Sequence, residues 1–143
     1  MRTAVLKMVW AAWLVLVPGI ARADDADVIE YRQHIMKSLD AQFEAVMLIL
    51  TARAPEAHIL GHMEALEETA SLAVKVFETK ALGGKASPKI WDDWAHFSAT
   101  MKEFDERLKT AVAMTRTQGA PGALQGLEFV SCQKCHDVYR KQP

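Results

Sequence analysis

The chain has 143 residues, 50% of them hydrophobic and 24% charged, with a formal net charge of −1 at pH 7. Those proportions suit one globular domain and exclude a disordered or fibrous chain. The nearly even charge balance argues against a nucleic-acid partner.

The N-terminus reads as an export signal. Arg2 and Lys7 precede an apolar run from Met8 to Val17, followed by Pro18, Gly19 and the small-residue pattern Ala21-Arg22-Ala23. The competing reading is a membrane anchor, but a run of ten residues is well short of the ~20 that a spanning helix needs. Cleavage after Ala23 makes residues 1–23 a signal peptide and 24–143 the mature domain, with no stable membrane span. Losing Arg2, Lys7 and Arg22 leaves 14 basic against 18 acidic side chains, a formal −4. Export would favour disulfides, yet the only cysteines are Cys132 and Cys135. A bridge between them closes a very small loop and staples little of the fold, so their role is chemical.

Within the mature chain, Pro55, Gly83-Gly84 with Pro88, and Gly119-Ala120-Pro121-Gly122 divide the sequence into four segments. Asp27 and Glu30 have the spacing of a capping box and predict a first helix over 27–53. Pro55 suits the first position of a second helix that Gly83-Gly84 ends. Ser87 and Pro88 suit the start of a third, with Asp92 and Asp93 near its positive end. A fourth helix is predicted from about Pro121 to Lys141.

The apolar spacing agrees with that division. Ile59, Met63, Leu66, Ala70, Ala73 and Phe77 form one stripe at alternating steps of four and three. Ile90, Trp94, Phe97, Met101, Phe104, Leu108 and Ala111 form another, and Ile35, Leu39, Val46 and Leu50 a looser third. A repeat near 3.5 residues keeps a stripe facing its neighbours at a shallow crossing angle. Four such helices with short breaks predict an all-α, antiparallel up-down-up-down four-helix bundle. The stripe residues, including Trp94, Phe97, Phe104, Met63 and Met101, are core first.

Cys132-Gln133-Lys134-Cys135-His136 has the C-x-x-C-H spacing of covalent haem attachment. Two thiols reach two vinyl groups on one porphyrin edge, and the adjacent imidazole turns to the iron. A thioredoxin-like pair would need a βαβ setting, and a zinc site would need about four ligands. Cys132, His136 and Arg140 are spaced to share one side of a helix. Arg140 can meet a haem propionate, or serve as a solvated cation at the helix C-terminus.

Read through to Cys-x-x-Cys-His-x-x-Tyr-Arg, Cys132 to Arg140 resembles the class II c-type cytochromes, the cytochrome c′ family. Tyr31-Arg32-Gln33-x-x-Met36 resembles that family's distal segment, and Ser87-Pro88-Lys89-Ile90-Trp91 its third-helix start. The resemblance implies a bacterial periplasmic four-helix bundle, often a homodimer, carrying one haem c. It also implies that Arg32 and Gln33 line the haem edge and pair with propionates, the alternative for each being a polar residue on the helix surface.

The iron's sixth position follows from axial height. At 1.5 Å rise per residue, His136 lies about 8 Å from one end of the bundle, Met36 about 13 Å and Met101 about 20 Å. Met36 is nearest in height and matches the family's distal position, which favours it as the sixth ligand. His34, His58, His62 and His96 are read as solvated or core side chains. The leading expectation is a periplasmic electron carrier cycling between Fe(II) and Fe(III) with redox partner proteins. One alternative is a five-coordinate cytochrome that binds NO or CO above Met36; a second is a haem-free thiol redox protein. No second titratable constellation points to enzymatic turnover.

Overall fold

A computed structural model describes residues 23–141; all of the proposed signal peptide except Ala23 lies outside them. The helices are α1 (Asp25–Leu50), α2 (Ile59–Lys75), α3 (Lys89–Asp92), α4 (Trp94–Gln118), α5 (Ala120–Leu127) and α6 (Gln133–Tyr139). Among the described residues the only β pairing is an isolated antiparallel bridge between Ala86 and Arg140. Four rods, α1, α2, α3–α4 and α5–α6, make the bundle. α1 packs on α2, α2 on α4 and α4 on α5, and α5 returns to α1.

Local chemistry moves several helix ends away from the sequence expectation. Asp24 caps α1, accepting from Asp27 N at 3.0 Å while Asp27 Oδ2 accepts from Asp24 N at 3.2 Å. The box therefore begins three residues before the expected Asp27, because Asp24 offers an earlier side-chain acceptor. At the other end α1 stops at Leu50 rather than residue 53. Ala52 takes a left-handed φ of 55°. Its N–H bonds Ile49 O at 2.9 Å, and Arg53 N bonds Leu48 O at 2.8 Å. That pairing is a Schellman close with alanine where glycine is usual. A single 3-10 turn, Glu56–His58, then intervenes before α2.

The second helix ends at Lys75, well before Gly83-Gly84, and residues 79–87 form a loop laid against α1. A Cβ on Gly84, which has φ +57°, would come within 2.9 Å of Gln33 Nε2. The third helix starts where expected, with Lys89 N donating to the Ser87 hydroxyl at 3.4 Å. It is split, however, because Asp93 leaves helical geometry at φ −130°, ψ 55°. The fourth is split too: residues 128–132 are not helical, so α5 and α6 aim independently. Gly122, expected as part of a break, lies inside α5. The chain reverses at Gly119 alone, at φ +64°.

Burial follows the apolar stripes. Ile59, Met63, Leu66, Ala70, Ala73 and Phe77 are all buried, as are Ile90, Phe97, Met101, Leu108 and Ala111. They stack in three layers. Val46, Ile49, Ile59, Met63, Ala111, Val112 and Ala123 fill one end, and Leu66, Ala70 and Leu108 the middle. Ala73, Val76, Phe77, Ile90, Phe97, Met101 and Tyr139 fill the other end. α5 approaches α4 closely enough that a Cβ on Gly126 would lie 2.5 Å from Ala111 Cα.

Two thermal-melt predictions follow from these contacts. Ala52→Gly removes the left-handed penalty and raises stability by about 1 kcal/mol, a few degrees in Tm. Gly126→Val forces α5 off α4 and costs about 2 kcal/mol or more.

Candidate functional site

The two cysteines and His136 open the short C-terminal helix. Cys132 immediately precedes α6, and Cys135 and His136 lie in its first turns. Cys135 is half-buried and packs into the layer that holds Phe77, Phe97, Met101 and Tyr139. Its Sγ lies 3.9 Å from Met101 Sδ. Loss of solvent raises both thiols above their ordinary range; Asp40 adds to the rise at Cys132, and Cys132 and Glu103 add to it at Cys135. Desolvation lowers His136, and Arg140 lowers it further against the opposing fields of Asp137 and Asp40. A neutral imidazole is the form that binds a metal.

α6 is held in place by Tyr139. Its ring is buried and meets Phe97 edge-on at 5.0 Å. Its hydroxyl shares a 2.6 Å hydrogen bond with His96 Nδ1, and its carbonyl accepts from Ser87 N at 2.9 Å. The sequence reading gave His96 no role, because nothing local in α4 signals a partner 43 residues away.

Across from α6, α1 presents Arg32, Met36 and Asp40 at helical spacing. Asp40's charge is felt at both Cys132 and His136, and Met36 packs into the layer that contains Cys135. Arg32 is only 4% exposed. Its guanidinium lies 4.9 Å from the Phe77 ring centre and 5.1 Å from that of Trp91. Nη2 donates to Ala81 O at 3.1 Å, while Nε and Nη1 have no protein acceptor. Gln33 is exposed and lies against Gly84. Arg140 is exposed too, its N–H bonding His136 O at 3.2 Å.

Straight-rod arithmetic separates Met36 from Met101, but the structure brings both into the layer of Cys135. Two other histidines have side-chain partners: His34 with Glu30 on α1 at 3.5 Å, and His62 Nδ1 across to Gln42 Oε1 on α1 at 2.8 Å. Among the described residues no group of three or more His, Cys, Asp and Glu side chains could hold a metal ion by itself. None of their helices is long and apolar enough to cross a membrane.

A haem fits this donor set. Two thiols three residues apart offer covalent attachment, the neighbouring imidazole offers an iron ligand, and the open N–H groups of Arg32 offer a cationic site for a carboxylate. The comparisons agree with that chemistry. The family model described as Cytochrome C′ matches residues 27–140. The chain belongs to the cytochrome c′ family.

A cytochrome c′ from Alcaligenes xylosoxydans xylosoxydans is 29% identical over 124 residues, covering 84% of this chain and 98% of the relative. Among solved structures, a ferrous variant of cytochrome c′ from Alcaligenes xylosoxidans with bound NO superposes at a TM-score of 0.78. It is 26% identical and covers 86% of this chain and all of that one. A carbon monoxide complex of another variant gives a TM-score of 0.77 at 27% identity, covering 84% and 98%. The chain is therefore a class II c-type cytochrome, a haem protein with the four-helix-bundle fold of cytochrome c′.

In this cytochrome c′ fold the Tyr139 hydroxyl holds α6 without itself offering an iron ligand. Tyr139→Phe is expected to lower the denaturant midpoint by the equivalent of about 1 kcal/mol. The visible spectrum of the holoprotein should not change.

Proposed function

We propose that the protein works in the periplasm with one haem c joined to Cys132 and Cys135. His136 binds the iron, and NO or CO binds at the opposite face beneath Met36. The observation that carries this reading is that Met36 of α1 and Cys135 of α6 pack against one buried apolar cluster. With a haem held by Cys132, Cys135 and His136, the Met36 thioether would shield the iron and leave room for a small ligand rather than a bulky substrate. The relatives with NO and CO bound support the gas-binding reading over the electron carrier expected from sequence. The periplasm follows from the N-terminal pattern of Arg2 to Ala23.

The bound haem supplies an iron that binds diatomic gases and takes up or gives up one electron. The protein's residues do the rest. His136, held neutral by desolvation, presents a nitrogen lone pair. Arg32 offers Nε and Nη1 to a propionate in a place sheltered from water, with Gln33 and Arg140 nearer the rim. Met36 and Met101 exclude water from the apolar side. The raised thiols count against the haem-free redox reading, because such chemistry needs a thiolate at neutral pH.

Electron transfer with Met36 as sixth ligand is the second reading. A thioether ligand suits a redox carrier, and Met36 packs against the same cluster as Cys135.

Absorption spectra separate the two. Gas binding predicts a high-spin ferric spectrum and a ferrous Soret band that shifts under carbon monoxide at neutral pH. A low-spin ferric spectrum that becomes high-spin in Met36→Ala, with no carbon monoxide shift in the parent protein, would establish the electron carrier instead.

A further inference from the structure

The loop after α2 and the chain end are far apart in sequence but lie side by side. Ala86 pairs with Arg140, Ser87 N bonds Tyr139 O at 2.9 Å, and Lys141 N bonds Lys85 O at 2.8 Å. This crossing gathers Lys80, Lys85, Lys89, Arg140 and Lys141, all exposed. No Asp or Glu occurs between Glu78 and Asp92, or after Asp137. Among the described residues none of the five cations forms an ion pair; those that do include Arg107, Lys109 and Arg116, elsewhere on the bundle. Leu82, 57% exposed, lies within the same loop.

This patch borders the haem site. Ala81 O accepts from Arg32, Gly83 and Gly84 lie against Ile29 and Gln33 on α1, and Arg140 is one helical turn beyond His136. The setting is electrostatically polarised, because the proposed mature chain is net acidic while this edge is an unpaired basic cluster.

We propose that this edge is the docking surface for an acidic one-electron donor protein that reduces the iron from Fe(III) to Fe(II), the donor losing the same electron. The inference rests on the haem reading above and deepens it, since carbon monoxide binds ferrous iron and an electron must reach that iron. An exposed apolar residue within a charged rim is the anatomy of a transient protein interface. A local field of one sign steers an oppositely charged partner and raises its encounter rate. An extended anionic membrane fits less well, because it would also face the chain's net negative charge.

The test is electron exchange with the mature holoprotein by stopped flow, run as oxidation of the ferrous form through the same edge. The oxidants are trianionic hexacyanoferrate(III), tricationic tris(phenanthroline)cobalt(III) and an acidic plastocyanin. Docking predicts that the hexacyanoferrate and plastocyanin rates fall with added salt and that the cobalt rate rises. The triple variant K80Q/K85Q/K89Q should slow both anionic oxidants about tenfold at low ionic strength. Its haem spectrum and carbon monoxide affinity should be unchanged. A control triple variant with the same loss of charge elsewhere, R53Q/K109Q/R116Q, should slow them much less.

Equal effects of the two triple variants, or an anionic-oxidant rate that rises with salt, would overturn the proposal. So would a plastocyanin rate indifferent to the lysines, or lysine-dependent co-sedimentation with phosphatidylglycerol vesicles. A purified protein with no haem band would instead refute the haem reading, before any rate is measured.

Discussion

The haem end of the bundle is organised around one buried guanidinium. Removing a charge from water costs on the order of several kcal/mol unless it is compensated, and Arg32 on α1 is almost wholly enclosed. Phe77 at the end of α2 and Trp91 on α3 cover its two sides, and the Ala81 carbonyl takes one of its protons. Those contacts tie three parts of the chain to α1 one helical turn before Met36. They leave Nε and Nη1 without a protein acceptor. A carboxylate supplied by a cofactor would complete this site chemically.

From that anchor the remaining geometry follows. The loop that satisfies Arg32 also pairs with the C-terminal residues through Ala86 and Arg140, which holds the end of α6 in register. Tyr139, bonded to His96 and packed on Phe97, holds the same helix from the α4 side. Cys135 and His136, and Cys132 at the cap, are thus carried by a seven-residue helix restrained from two directions. Such a short helix has little stability of its own, so its placement depends on these tertiary contacts. Met36, Met101 and Cys135 pack into the apolar layer at this end of the core.

Much of this was legible in the sequence because periodicity and covalent spacing are local signals. The stripe from Ile59 to Phe77 predicted six buried residues and all six are buried; the motif from Cys132 to His136 pointed to haem attachment without reference to the fold. Features set by distant contacts were not legible. Nothing near His96 announces Tyr139, and nothing near Arg32 announces Phe77 or Trp91. Gly122 looked like a chain break but serves a close helix contact, where a Cβ would meet Met114 O at 2.3 Å. The division of the third and fourth helices at Asp93 and at residues 128–132 also escaped prediction. Met101 lies beside Cys135, where uniform helical rise had placed it a turn away or more.

Mass spectrometry of the purified, denatured protein decides whether Cys132 and Cys135 together hold one haem. The expected result is a mature chain heavier by one haem after acid-acetone treatment. A proteolytic peptide spanning both cysteines should carry the whole increment, with a pyridine haemochrome spectrum of the two-thioether type. A mass matching the bare polypeptide, or a haem extracted by acid-acetone, would contradict it.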